Sequence, residues 1–324
     1  MKLRFYQGKM EGLYCRHRRE RGLKKGIWYA IGAYCAWGLF PIYWKWLHKV
    51  PALELIAHRI AWSFILLAVI IFITRQWKLF HSTLTRKVFL IYLAAAVLLS
   101  INWLTYVWAV NAGFIVETSL GYFINPLLSV LMGVIFLRER LRTWQWVPIG
   151  LAAAGVLYLT FAYGALPWIA LTLAFSFGIY GLVKKTAPLG SLYGLTLETS
   201  ILFIPAVGFL VYLQTIHQGA FLNSNAVTDL LLAGAGLVTT LPLLMFASAA
   251  QRIPLSLVGV LQYIVPTLQF LIGVLVYKEP FDHSRLIGFG TVWLALIIFW
   301  AEGYLARRTR VAGNGGGDVP LRGT

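Results

Sequence analysis

The sequence predicts an all-α integral membrane protein in which ten transmembrane helices form two inverted five-helix repeats. Three observations lead to this fold class. The composition is strongly apolar, ten apolar segments follow one another with short gaps, and the second half of the chain matches the first at a constant offset.

The composition indicates a membrane as the solvent. Hydrophobic residues make up 59% of the 324 residues and charged residues 12%, with a mean hydropathy of +0.74. Soluble domains carry about 25% charged residues. The net charge of +17 comes mostly from the termini and the gaps, so we expect a lipid bilayer and no nucleic acid as a partner. The two cysteines, Cys15 and Cys35, suggest neither a disulfide framework nor a metal site, and we expect no cofactor.

The ten apolar segments are interpreted as helices. In hydrocarbon the backbone polar groups must bond to each other, and the sequence lacks the alternating short strands that a barrel requires. The segments are predicted at 26–46, 51–74, 88–110, 114–137, 144–162, 165–184, 191–213, 227–249, 254–277 and 284–305.

The segments divide the chain into four parts. Residues 1–25 form a basic cytoplasmic leader without the features of a signal peptide. Residues 26–162 form the first five-helix repeat and 165–305 the second. Residues 306–324 form a basic, glycine-rich cytoplasmic tail.

The two halves match at an offset of about 140 positions without a gap. Because each half holds an odd number of helices, the second half enters the membrane inverted relative to the first. This is the architecture of alternating-access transporters. The matched pairs include Pro126 with Pro266, Gly133 with Gly273, Arg138 with Lys278, Glu139 with Glu279, Gly38 with Gly178, Gly150 with Gly290 and Trp28 with Trp168.

The distribution of lysine and arginine predicts that both termini are cytoplasmic. With that orientation, basic residues concentrate on the inside, and only Lys45, Lys49, Lys278 and Arg285 lie outside. The inside then holds the leader, the tail and the gaps with Arg75, Lys78, Arg86, Lys87, Arg138, Arg140, Arg142, Lys184, Lys185 and Arg252.

Several blocks resemble a known family. PALELIAHRIAWS at 51–63, INWLTYVWAVN at 101–111 and ETSLGYFINPLLSVLMGVIFLRERL at 117–141 resemble the RarD subfamily, which is named for chloramphenicol sensitivity. The helix ends FLRERL and VYKEPF resemble the EamA-type members of the drug/metabolite transporter superfamily, over roughly residues 24–305.

The resemblance implies two EamA-like halves and a multi-pass permease of the bacterial inner membrane for small metabolites or drugs. It implies neither a settled solute nor catalytic residues, and the oligomeric state stays open. The leader is longer than the family leads us to expect, so the native start lies at Met1 or at Met10.

Polar and aromatic residues within the segments are the candidates for binding or coupling, because such groups usually face the bundle interior. In one interpretation Arg59 meets Glu198 or Glu117 across the pseudo-twofold axis, and Glu198 is the proton carrier. In the other, Arg59 pairs with Glu54 near the outer surface and Glu117 caps its helix. The candidates are Arg59, Glu198, Glu117, His58, Asn102, Tyr106, Tyr122, Asn125, Trp37, Gln262 and Tyr263.

Pro126 and Pro266 occupy matching places in the fourth and ninth segments. Each removes a backbone hydrogen bond and is expected to kink its helix. The pair either lines a central site or serves packing alone.

Two classes of function follow from these observations. The first is a secondary transporter, either proton-coupled or facilitative. The alternative is a membrane-embedded enzyme or a sensor without transport. The sequence lacks a phosphate-binding loop, a His-Glu-x-x-His motif and a cysteine cluster, which favours the transporter.

The predicted orientation can be tested with a reporter that is active only outside the cytoplasm. Fused after Arg307, the reporter is expected to stay inactive, because the tail is predicted to be cytoplasmic. The same reporter inserted after Lys49, in a predicted outer gap, is the positive control. Activity after Arg307 would contradict both the orientation and the inverted repeat.

Overall fold

The structure is a computed structural model that describes residues 2–112, 114–163, 166–278, 287 and 290–302. Side chains are described from Glu20 onward, except those of residues 111, 115–117, 119, 159, 162 and 163. Within these ranges the regular elements are helices, and no strand occurs. The chain is therefore all-α where it is described, as predicted.

The helices lie close to the predicted segments. The helices are α1 (Lys2–Trp46), α2 (Ala52–Ile73), α3 (Trp77–Ser82), α4 (Arg86–Asn111), α5 (Ile115–Ile135), α6 (Trp146–Tyr163), α7 (Trp168–Thr186), α8 (Ser191–Thr215), α9 (Ala226–Arg252), α10 (Leu255–Gln262) and α11 (Ile264–Leu271). A 3₁₀ turn, Thr143–Gln145, precedes α6, a π-helical turn, Ile272–Val276, follows α11, and Gly290–Glu302 is also helical.

Six helical stretches in the described part are long and apolar enough to cross a membrane. They are α2, α7, α8 and α9 together with Arg86–Val110 and Leu255–Val276. Since a helix needs about 20 apolar residues to span the hydrocarbon, the chain has the helices of a multi-pass membrane protein. Leu120–Ile135 and Gly290–Glu302 are shorter apolar helices, so the full count of ten spans stays a prediction.

The structure describes the backbone of the predicted leader from Lys2 but not the predicted tail. α1 is helical from Lys2, so no helix boundary separates the leader from the first predicted span. The tail at 306–324 and part of the tenth segment lie outside the described residues.

The chain forms two compact units. One comprises Met1–Arg138 and Trp168–Glu279, and the other Glu139–Pro167 and Pro280–Thr324. In the second unit, Arg142 and Glu302 form an ion pair with an N–O distance of 3.2 Å.

An aromatic cluster forms the centre of the first unit. Phe246 of α9 contacts Tyr34 and Trp37 of α1 and Phe177 of α7, with ring centroids 5.3–6.4 Å apart. Edge-to-face and tilted ring contacts of this kind add to the burial of apolar surface. The cluster therefore ties α1, α7 and α9 together.

Several local features recur at the offset of 140 residues. A Cβ on Gly38 would lie 2.7 Å from Leu268, and a Cβ on Gly178 would lie 3.3 Å from Leu128. Thr85 and Asn225 each cap a helix by accepting a hydrogen bond from the amide three residues later. Arg138 and Lys278 both have a φ of 52°.

Among the described glycines, Gly236 in α9 lies closest to the backbone of another helix. A Cβ there would lie 2.5 Å from the carbonyl carbon of Trp62 in α2. We expect Gly236→Ala to push the two helices apart and to lower the free energy of unfolding by about 1–3 kcal/mol. Thermal unfolding of the detergent-solubilised protein measures this, with Gly208→Ala in α8 as the control, because no neighbouring atom lies within 4 Å of that position. Equal melting temperatures for the two variants would contradict the prediction.

Candidate functional site

The first unit encloses a cavity of about 290 Å³ between its helices. Its wall combines aromatic rings with a few polar groups, the usual composition of a small-molecule site. The lining residues are Trp37, Phe40, Pro41, Trp44, Arg59, Asn102, Trp103, Tyr106, Thr118, Gly121, Tyr122, Asn125, Leu173, Phe177, Leu243, Gln262, Val265 and Gln269.

Seven of the eleven predicted binding or coupling residues line this cavity, although they come from five different helices. They are Trp37, Arg59, Asn102, Tyr106, Tyr122, Asn125 and Gln262. Of the other four, Glu198, His58 and Tyr263 do not line the cavity. The side chain of Glu117 lies outside the described residues.

Arg59 is the cation of the cavity wall. Its Nε donates to Thr239 Oγ1 at 2.9 Å, and its guanidinium carbon lies 4.5 Å from the ring of Trp103 and 4.9 Å from that of Trp44. Cation–π contacts of this kind contribute about 0.5–2 kcal/mol each. The rings and Thr239 hold the guanidinium in place, while its terminal nitrogens make no hydrogen bond to any side chain or backbone group in the described part.

The three predicted amides of the cavity wall differ in their hydrogen bonding. Asn102 donates from Nδ2 to the Leu173 carbonyl at 2.9 Å and to Ser176 Oγ at 3.0 Å, so it is fixed against α7. Asn125 Oδ1 and Gln262 Oε1 are buried and have no hydrogen-bond partner among the described residues. A buried acceptor without a donor costs about 1–3 kcal/mol, so these two oxygens are available to a solute or to water.

Glu198 is not paired with Arg59, contrary to the first interpretation of the sequence. The buried carboxylate accepts hydrogen bonds from Lys184 Nζ at 2.8 Å and from the Tyr180 hydroxyl at 3.1 Å. The sequence predicts Lys184 in a cytoplasmic gap, but Lys184 lies within α7, which continues to Thr186, and only 1% of it is exposed. The counter-ion of this buried carboxylate is therefore the lysine of the preceding helix.

The alternative pairing of Arg59 with Glu54 is not formed either. Glu54 Oε1 accepts from the backbone amides of Ala220 at 2.7 Å and Phe221 at 3.4 Å, so Glu54 fixes the chain before α9. His58 Nε2 lies 3.7 Å from Glu54 Oε1, and both residues line a separate, largely apolar groove with residues of α8.

The structure places Tyr263 and the two prolines beside the cavity. Tyr263 is buried and donates to the Phe123 carbonyl at 3.4 Å. It separates α10 from α11, three residues before Pro266, whereas α5 is continuous through Pro126. The neighbouring residues Asn125 and Val265 line the cavity, so the site-lining role of the prolines stays a prediction.

The residues of the cavity provide binding groups and no group of metal ligands. Among the described residues, no cluster of three or more histidine, cysteine, aspartate or glutamate side chains is arranged to hold a metal ion. The arrangement can therefore bind a small solute by charge, hydrogen bonds and ring contacts.

Comparison with known proteins identifies the family. Residues 24–161 match the EamA-like transporter family. A protein of Streptomyces exfoliatus named RarD is 45% identical over 90% of this chain and 94% of its own. The chain belongs to the RarD subfamily of EamA-type transporters. A Bacillus subtilis relative named as the transporter YojE is 49% identical over 85% of this chain and 93% of its own.

The fold of this RarD-type chain is also found in a crystal structure. That structure superposes with a TM-score of 0.61 over 86% of this chain and 97% of its own, at 17% sequence identity. At this identity the likeness shows a shared fold. As an EamA-type transporter with membrane-spanning helices, the chain is a multi-pass protein of the bacterial inner membrane with a small-molecule solute.

The Lys184–Glu198 pair generates a stability prediction for this transporter. Glu198→Leu alone is expected to lower the free energy of unfolding by about 3–5 kcal/mol, because it leaves Lys184 buried without a partner. Lys184→Met with Glu198→Leu is expected to restore most of the loss. Thermal or chemical unfolding in detergent measures the free energy of unfolding of the parent, the two single variants and the double variant. Additive losses in the double variant would show that the two side chains act independently.

Proposed function

We propose that this protein is a secondary transporter that moves a small solute by alternating access through the 290 Å³ cavity. The observation that carries the proposal is the convergence of Arg59, Asn125 and Gln262 on one aromatic-lined space enclosed by helices. A cavity with a cation and two free acceptors inside a membrane protein is suited to a polar solute that must avoid contact with lipid.

The alternating-access mechanism rests on the predicted inverted repeat. Gly38 with Leu268 and Gly178 with Leu128 are contacts between matching positions of the two halves. The matching caps at Thr85 and Asn225 add to this support. In the proposed mechanism one half rocks against the other around the cavity. Both termini are cytoplasmic in this proposal.

The coupling is either to protons or to the gradient of the solute alone. The sequence favours Glu198 as a proton carrier, but its contact with Lys184 provides a structural role for it. We therefore propose Glu117 as the carrier to test if transport proves to be proton-coupled. The alternative function, an enzyme or a sensor, requires product formation or signalling without flux.

Reconstitution into proteoliposomes tests the function without assuming a solute. We expect at least one member of an equimolar mixture of small anionic, cationic, zwitterionic and neutral metabolites to enter faster than in protein-free liposomes, as measured by mass spectrometry. Repeating the assay with an imposed proton gradient separates the two kinds of coupling. If every member enters at the protein-free rate, the transport proposal is wrong.

The matched prolines provide a prediction for the same assay. Pro126→Ala and Pro266→Ala are each expected to straighten a helix beside the cavity and to reduce solute flux while leaving the protein in the membrane. Pro205→Ala, at an exposed proline inside α8, is the control and is expected to retain parent flux. Parent flux in both test variants would assign these prolines to packing alone.

A further inference from the structure

We propose that the solute of this cavity is an organic monoanion with an aromatic or apolar body and a hydroxyl group. The proposal rests on the transport function proposed above and specifies the class of solute. Three features of the cavity wall carry it: the orientation of Arg59, two acceptors without donors, and the surrounding rings.

The first feature is the unused edge of the Arg59 guanidinium. Of its five N–H donors, one is taken by Thr239, and the Trp44 and Trp103 rings contact the planar group. The terminal nitrogens are left without partners in the described part. Such an edge binds a carboxylate through two parallel hydrogen bonds.

The second feature is the pair of acceptors, Asn125 Oδ1 and Gln262 Oε1. Both side chains are more than nine-tenths buried, at 6% and 5% exposure, and both line the cavity. Both oxygens lack donors in the described part of the chain. A solute that contributes a hydroxyl satisfies an acceptor that is otherwise buried at a cost.

The third feature is the balance of charge and surface in the wall. The described lining residues include one cation, Arg59, and no carboxylate, so an ammonium group would have no counter-ion there and would be repelled by Arg59. Rings from Trp37, Trp103 and Phe177 offer flat apolar contacts. A volume of about 290 Å³ is at the small end for ligand sites, which suits a single-ring metabolite.

Binding of tritiated 3-phenyllactate to the purified, detergent-solubilised protein tests the proposal, with unlabelled competitors that share its body. We expect 3-phenyllactate to compete best and 3-phenylpropanoate, which lacks the hydroxyl, to be weaker by about threefold or more. The carboxylate-free 3-phenylpropan-1-ol and the cationic 3-phenylpropylamine are expected not to compete. Competition by the amine at the level of 3-phenyllactate would overturn the proposal, as would a lack of 3-phenyllactate binding.

Three variants assign the binding to the named groups. Arg59→Lys keeps the charge but loses the two parallel N–H donors of the guanidinium. It is expected to weaken 3-phenyllactate binding about tenfold or more. Arg252→Lys is the matched control, since Arg252 bonds to the Ser248 carbonyl and contacts Tyr29, and none of these three lines the cavity. Asn125→Leu is expected to abolish the preference for 3-phenyllactate over 3-phenylpropanoate while retaining binding of the latter. An unchanged preference in Asn125→Leu and Gln262→Leu would contradict the role of these acceptors.

Glu117 provides a further decisive comparison. If 3-phenyllactate binds only after Glu117→Gln, then Glu117 and not a solute neutralises Arg59, and the proposal is wrong. Parallel uptake assays separate this proposal from the transport function. Binding of 3-phenyllactate without uptake of any solute would leave the anion site and overturn transport, whereas uptake of cations alone would leave transport and overturn the anion site.

Discussion

The low dielectric of the bilayer interior is the constraint on which the rest of this structure depends. Each ionisable side chain inside the bundle must be neutralised or held by polar groups of the chain itself. The described residues use a different solution in each case. Glu198 has an ammonium and a phenol, Glu54 has two backbone amides, and Arg59 has a hydroxyl and two indole rings.

The same constraint explains why the cavity differs from the packed core around it. Tyr34, Tyr180 and Phe246 are fully buried against one another, and the hydroxyl of Tyr34 donates to the Val258 carbonyl at 3.1 Å. In the cavity wall, by contrast, Asn125 and Gln262 keep acceptors that no described residue bonds to. Polar groups of this kind are tolerated inside a membrane protein where a solute or water reaches them. The two unsatisfied amide oxygens thus distinguish this part of the cavity wall from the packed aromatic core.

Much of this arrangement could be predicted from patterns in the amino-acid sequence. Apolar runs fix the approximate helices, since hydrocarbon permits few other structures, and polar residues within those runs included seven residues of the cavity wall. Pairing could not be predicted in the same way. The depth of Glu198 and Arg59 in their segments favours a contact between them, whereas in the structure Glu198 contacts Lys184. The positive charge of Lys184 predicts a surface position, whereas tertiary packing buries this residue beside Glu198. The Trp44 and Trp103 contacts of Arg59 likewise depend on tertiary packing.

The position of the Lys184–Glu198 pair also bears on how the chain is made. The two residues belong to consecutive helices, α7 and α8, that are joined only by residues 187–190. If α7 entered the lipid before α8, Lys184 would be buried without its counter-ion. Entry as a helical hairpin lets the two charges neutralise each other before either meets lipid. The short connection thus allows α7 and α8 to enter the membrane together, with the ion pair between them already formed.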